Sequence, residues 1–172
     1  MEGTLQHEGT MMFAKSVRVE KSWLTVQQLL NTFYLVEPDE SVVAGRTLED
    51  FTYYIESLLI GTAITPFVTG ENPSLHGKGR FFEVVDGKKR FVILKKYLRG
   101  DFALTDCRFV KELSQKTFSD LPRDIQRRLQ DEHLEVFEIY DGGFGLDNYR
   151  AVCRSIRGED DYKEVGTGTC QK

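Results

Sequence analysis

The chain has 172 residues and 19.8 kDa, with 40% hydrophobic and 29% charged residues. Such a length fits one domain able to bury about 70% of the surface its unfolded form exposes, and the composition excludes a mostly disordered chain, a collagen-like repeat and a disulfide scaffold. Acidic residues number 27 and basic residues 23, a net charge of −4, so the domain-wide basic excess of a general nucleic-acid binder is missing.

The apolar runs fall far short of the ~20 residues a membrane span needs. Met1 to Thr10 carry no basic cluster leading into an apolar stretch, so no signal peptide is expected and the expected location is the cytoplasm. Cys107, Cys153 and Cys170 are widely separated, and no Cys/His pair sits at zinc spacing. Cys107 and Cys153 read as small core hydrophobes, and Cys170 as part of a polar tail. His7, His76 and His133 are scattered and suggest no metal site.

Residues 1–10 and 158–172 are polar and Gly-rich and read as loose ends. One domain is expected over residues 11–157. Val17 and Val19 alternate with charges, predicting a strand around Ala14 to Glu20. Ser22 is placed to cap a helix through Leu24, Gln27, Leu30 and Phe33. Tyr34 to Val36 reads as extended and stops at Pro38. Leu35 to Glu56 is an acidic segment, with Arg46 its one cation. Thr47, with Asp50 three residues on, predicts a capped helix through Leu48, Phe51, Ile55, Leu58 and Leu59, ended by Gly61.

A strand is expected over Thr65 to Val68, then a loop from Gly70 to Gly79. Phe81 to Val85 is an apolar strand broken by Asp86-Gly87. A helix from Lys88 to Arg99 follows, with Phe91, Leu94 and Leu98 on one face, closed by Gly100. Phe102 to Val110 has room for a strand or hairpin. Ser119 is placed to cap a helix with Pro122 in its first turn and Ile125 and Leu129 as its stripe. His133 to Tyr140 alternates as a strand. Asp141 to Gly145 reads as a Gly-rich connection, and Leu146 to Ile156 as a last helix. Short strands in irregular alternation with helices favour a compact α+β domain with a short mixed sheet.

The chemistry concentrates between Lys78 and Arg99. Lys78, Arg80, Lys88, Lys89, Arg90, Lys95, Lys96 and Arg99 face Glu83 and Asp86 alone, a local excess of six positive charges. Asp86-Gly87-Lys88-Lys89-Arg90 joins a strand to a helix. The first amides of a helix lack internal partners and its dipole favours an anion there. Gly87 permits close backbone approach, and an arginine such as Arg90 can fork two phosphate oxygens. The turn therefore reads as an anion site, with Asp86, Gly87, Lys88, Lys89 and Arg90 as binding residues and Arg46 and Arg80 as further candidates. A merely solvated basic face, with Asp86 as its cap, is the plainer alternative. Gly77-Lys78-Gly79-Arg80 lacks P-loop spacing. No nucleophile–base pair is readable, and no catalytic residue is assigned.

The stretch from Phe82 to Leu104 around Asp86-Gly87-Lys88-Lys89-Arg90 resembles the region of the DGQQR motif in GmrSD-type proteins. These are the N-terminal domains of modification-dependent restriction systems and have a ParB/sulfiredoxin-like fold. Ile55 to Gly61 with Ile64 to Phe67, Phe118-Ser119-Asp120-Leu121-Pro122 running into Gln126 and Leu129, and the turn from Gly142 to Arg150 agree in order, so the resemblance spans residues 23–157. It implies a nucleotide-binding domain serving DNA restriction and phage defence, with Mg²⁺ accompanying a nucleoside triphosphate. Asp86, Gly87 and Arg90 carry over directly. Two departures stand out. Lys88 and Lys89 replace the family's glutamines, removing neutral groups able to orient a water and leaving at most weak hydrolysis. Ser41-Val42 stands where the family has a Gln-Arg pair, with Arg46 the nearby basic residue. The sequence ends where family members often continue into a nuclease domain, so DNA cleavage by that route is not expected.

Two readings follow. One is a stand-alone nucleotide- or phosphate-binding domain. The other is a non-catalytic interaction or regulatory module that keeps the fold with a degenerate site, its acidic and basic segments supporting a protein partner or self-association. Contact with DNA phosphates is a weaker third, which the net charge does not favour.

Overall fold

A computed structural model describes residues 18–71, 82–140, 149 and 153–156. The fold is α+β, as the pattern of elements predicts. Strand β1 (Arg18–Thr25) leads directly into helix α1 (Val26–Thr32), followed by the short α2 (Asp39–Val42) and the longer α3 (Leu48–Leu59). Strand β2 (Phe67–Glu71) and strand β3 (Phe82–Asp86) precede α4 (Lys88–Arg99). Two single 3₁₀ turns, Lys111–Leu113 and Phe118–Asp120, lead into α5 (Arg123–Asp131) and β4 (His133–Tyr140).

The four strands form one mixed sheet in the order β1-β4-β2-β3. β1 runs antiparallel to β4 from Arg18 opposite Tyr140 to Thr25 opposite His133. β2 lies parallel to β4, with Phe67 opposite Val136, and antiparallel to β3, with a bulge between Val68 and Thr69. Side chains alternate across a strand, and the register sorts them into two layers. Phe67, Val84, Leu134 and Val136 face the helices, where they meet Leu29, Ile55, Leu58, Leu94 and Tyr97 in the main core. Val68 and Ile139 face the other way and pack with Tyr149 and Cys153. Gly70 is required for that second layer, because a Cβ there would stand 2.7 Å from a ring carbon of Tyr149.

Several boundaries differ from the sequence expectation. The first strand runs on to Thr25, and Ser22 lies inside it, its hydroxyl donating to Glu138 at 3.1 Å. Thr25 is the true cap. It has Gln28 three residues on, so hydroxyl and side-chain amide satisfy each other's backbone N–H, whereas Ser22 has no such partner. The strand expected over Thr65 to Val68 begins at Phe67 and continues through Gly70 to Glu71, where the sequence predicts a loop. Ser119 caps nothing. It sits in a 3₁₀ turn boxed by Thr117 and Asp120, and Pro122 holds Leu121 extended so that α5 starts only at Arg123. Phe102 to Val110 forms neither strand nor hairpin. Most of its bonded amides go to side chains instead: Thr105 to Thr52, Cys107 to Ser114, and Phe109 and Val110 to Glu56, while Leu104 bonds to the Lys116 carbonyl. Cys107 and Cys153 are buried as expected. Cys170, His7, His76, the loop from Asn72 to Gly79, Asp141 to Gly145 and most of the expected last helix lie outside the described residues, although 153–156 are helical. No helix among the described residues is long and apolar enough to cross a membrane.

The acidic segment and the basic helix face each other. Glu37 pairs with Lys88 at 2.7 Å, Asp39 with Lys95 at 2.9 Å and Arg99 at 3.7 Å, and Glu40 with Lys96 at 3.2 Å. These pairs dock the single-turn α2 onto α4. Asp39 is the least exposed of the carboxylates, at 13% of its side chain. Asp39→Asn is expected to lower the unfolding free energy by about 1 kcal/mol, near the upper end for pairs with solvent-exposed partners. Urea unfolding should show that difference shrinking in 1 M salt, where the Debye length is ~3 Å.

Candidate functional site

The Asp86 to Arg90 turn forms as the sequence implies. β3 ends at Asp86, Gly87 takes the left-handed conformation (φ 92°), and α4 begins at Lys88. No side chain caps α4; its first closed bond runs from the Phe91 amide to the Gly87 carbonyl at 2.9 Å. Gly87 is fixed by space as well as by φ. A Cβ there would lie 2.6 Å from the Phe67 ring and 2.9 Å from a guanidinium nitrogen of Arg90.

Arg90 does something the sequence did not disclose. Its side chain folds back beneath the turn and donates to the carbonyls of Thr65 and Pro66, the latter at 3.0 Å. The guanidinium lies 4.5 Å from the centre of the Phe67 ring. The fork expected for a phosphate thus grips the approach to β2, through charge-assisted bonds and a cation–π contact. Lys88 is also engaged, with Glu37 and, at 3.5 Å, Glu83.

Two cations remain. Lys89 and Arg46 are both exposed and make no ion pair among the described residues. The short α2 and the turn after it carry Arg46 to the mouth of the Gly87 turn, and the two residues line one open cleft of about 560 Å³ with Thr65, Val85, Asp86, Gly87, Lys88 and Arg90. Arg46 therefore joins the motif in space, forty residues away in sequence. Arg80 lies outside the described residues. Among those residues no group of three or more histidine, cysteine or acidic side chains could hold a metal. Asp86 is the carboxylate on the cleft wall. One carboxylate suits Mg²⁺ that arrives on phosphate oxygens, not a metal held by protein alone.

A buried carboxylate went unread. Glu56, the last residue of the acidic segment, is only 2% exposed. It lies on α3 one turn after the buried Thr52, a polar stripe running into the 102–110 segment. One oxygen accepts the amides of Phe109 at 2.6 Å and Val110 at 3.0 Å. Burial pushes its carboxyl up, but the amides of Phe109, Val110 and Arg108 and the charge of Arg108 outweigh that and hold it below the ordinary glutamate range. The i, i+4 placement of Thr52 and Glu56 was the available signal.

No family model matches this chain, and comparisons with curated proteins and with solved structures find no match either.

Three outcomes follow. Gly87→Ala is expected to destabilise the fold by more than about 1 kcal/mol, since it adds a clash to an unfavourable backbone angle; thermal unfolding reads this. Arg90→Ala should lower the midpoint without any ligand, because it frees two carbonyls and uncovers Phe67. Glu56→Gln should cost about 1–3 kcal/mol at neutral pH. Because the folded pKa lies below the unfolded value of about 4.3, the carboxylate's contribution is full above that value and is lost as pH falls through the folded pKa. Urea unfolding from pH 7 downward should show wild type and Glu56→Gln converging in acid.

Proposed function

We propose that this domain binds a phosphate-bearing small molecule, a nucleotide, in the cleft at the β3–α4 turn, and that its role is binding and not hydrolysis. The observation that carries this reading is the convergence of Lys89 and Arg46, cations without ion-pair partners among the described residues, on the uncapped end of a twelve-residue helix. The Lys88 and Lys89 amides and the helix dipole would meet the phosphates. Lys89 and Arg46 would supply the compensating charge, and Asp86 would stand beside phosphate-borne Mg²⁺. Arg90 keeps the turn in shape from beneath. The resemblance of Asp86, Gly87 and Arg90 to the GmrSD-type motif supports the same position, and through it a place in DNA restriction or phage defence. Lysines in place of the two glutamines support binding without turnover.

A second reading has its own observation. Among the described residues β1 is an edge strand, on which Val19 and Trp23 are 42% and 58% exposed. Two exposed apolar side chains on one face of that strand favour a non-catalytic module that docks a protein partner on the sheet face and not by strand addition, which the charges of Arg18, Glu20 and Lys21 disfavour.

Thermal midpoints against ATP, GTP, CTP and UTP, with and without Mg²⁺, separate the two. A ligand bound only by the folded state stabilises it by about 2.7 kcal/mol at a hundredfold excess over its dissociation constant. One nucleotide is expected to raise the midpoint in wild type, and Lys89→Ala or Arg46→Ala to abolish the rise while leaving the unliganded midpoint unchanged. No rise with any nucleotide would reject the binding reading and leave the interaction module.

A further inference from the structure

A second cleft, of about 590 Å³, lies across Arg90 and Thr65 from the first, and those two residues line both. Its walls come from the C-terminal half of α3 and from the segment leading to β2. Three features set it apart from an ordinary surface hollow.

The first is its aromatic rim. Tyr53 and Phe109 both line it, and they are 59% and 68% exposed. Single exposed rings need no explanation, but here two stand at one opening. The second is how Phe109 is held. Its amide is fixed by the buried Glu56 carboxylate, which also takes the amide of Val110. A buried charge is costly unless hydrogen-bonded, and this one is placed so as to immobilise the backbone beneath an exposed ring. The third is the Tyr54 hydroxyl. Tyr54 lines the cleft, and its hydroxyl is buried with no hydrogen-bond partner among the described residues. Burial, only partly opposed by the nearby charge of Arg90, raises its pKa, so it stays protonated and able to donate. Buried hydroxyls are normally satisfied.

We propose that this second cleft takes the base of the bound nucleotide, a planar heterocycle stacked on Phe109 and Tyr53 and hydrogen-bonded by the Tyr54 hydroxyl. The inference rests on the phosphate-cleft reading, because Arg90 and Thr65 form the ridge that the sugar must cross between phosphates and base. Rigid aromatic faces recognise a base by stacking, and one polar group fixes its orientation. Glu56 is a positioning residue here, acting through the Phe109 backbone.

Titration calorimetry on the intact chain tests it with the four nucleoside triphosphates, tripolyphosphate and the four nucleosides. One nucleoside triphosphate is expected to bind more tightly than tripolyphosphate. Phe109→Ala should weaken that nucleotide about tenfold or more while leaving tripolyphosphate affinity and the unliganded midpoint unchanged. Tyr54→Phe should also weaken the nucleotide, yet leave the unliganded midpoint equal or higher, since it removes an unsatisfied group. A purely structural tyrosine would not give that pairing. Equal binding of nucleotide and tripolyphosphate, or nucleotide affinity insensitive to Phe109→Ala, overturns the base site and leaves the phosphate cleft standing. Nucleoside binding that is lost in Phe109→Ala, with nucleotide binding indifferent to Lys89→Ala, upholds the ring site and overturns the phosphate cleft. No binding of any of these ligands overturns both.

Discussion

The Arg90 guanidinium is the constraint on which the candidate site depends. It enters from the first turn of α4, reaches under Gly87 and closes on the Thr65 and Pro66 carbonyls and the Phe67 ring. Hydrogen bonds to a charged group contribute about 1.5–3 kcal/mol each where water is partly excluded. They fix the start of β2 relative to the end of β3, and Gly87 must be a glycine because the guanidinium and the ring fill the place of its side chain. The same cation forms the ridge between the two clefts. The shape of the site therefore traces to one side chain that is itself occupied by the protein.

The other electrostatic theme is compensation. Most of the positive charge on α4 is met by Glu37, Asp39 and Glu40. The acidic and basic stretches attract within the chain. This compensation narrows any anion site. The local excess seen in the sequence is mostly neutralised across α4, and what remains lies at the turn, on Lys89 and Arg46. A field confined in that way suits a small phosphate ligand better than a long polyanion.

Much of the fold was legible because it is written locally. Gly87 and Gly100 bound α4 at the residues expected, the Thr47–Asp50 box starts α3, and alternation marks β4 over its full length. Where local signals competed, the stronger chemistry won: Thr25 over Ser22, and Pro122 over Ser119. The site was legible only in part. The Gly87 turn could be placed from the sequence, but the partners of Arg90 and Lys88 come from residues 65–66 and 37, and no spacing rule announces them. Glu56 shows in the sequence only as one member of an acidic segment, because its burial depends on amides more than fifty residues further on. Phe102 to Val110 failed as a strand for the same reason, since the amides of Thr105, Phe109 and Val110 end on side chains of α3, that of Cys107 on Ser114 and that of Leu104 on the Lys116 carbonyl, and none on a neighbouring strand.

The strand order carries a consequence for how the chain comes together. β1 is the first described strand and its ladder partner is β4, the last; β2 likewise lies beside β4. Neither pairing can form on the ribosome until the end of β4 has emerged, on the order of ten seconds after β1 at about 5–20 residues per second. Through that interval β1, with its outward tryptophan, waits without a ladder, while α3 and α4 can already pack on each other. Sheet closure is thus a late, long-range event with a high entropic barrier. The charges on Arg18, Glu20 and Lys21 lie along the waiting strand, where they discourage premature pairing with another chain.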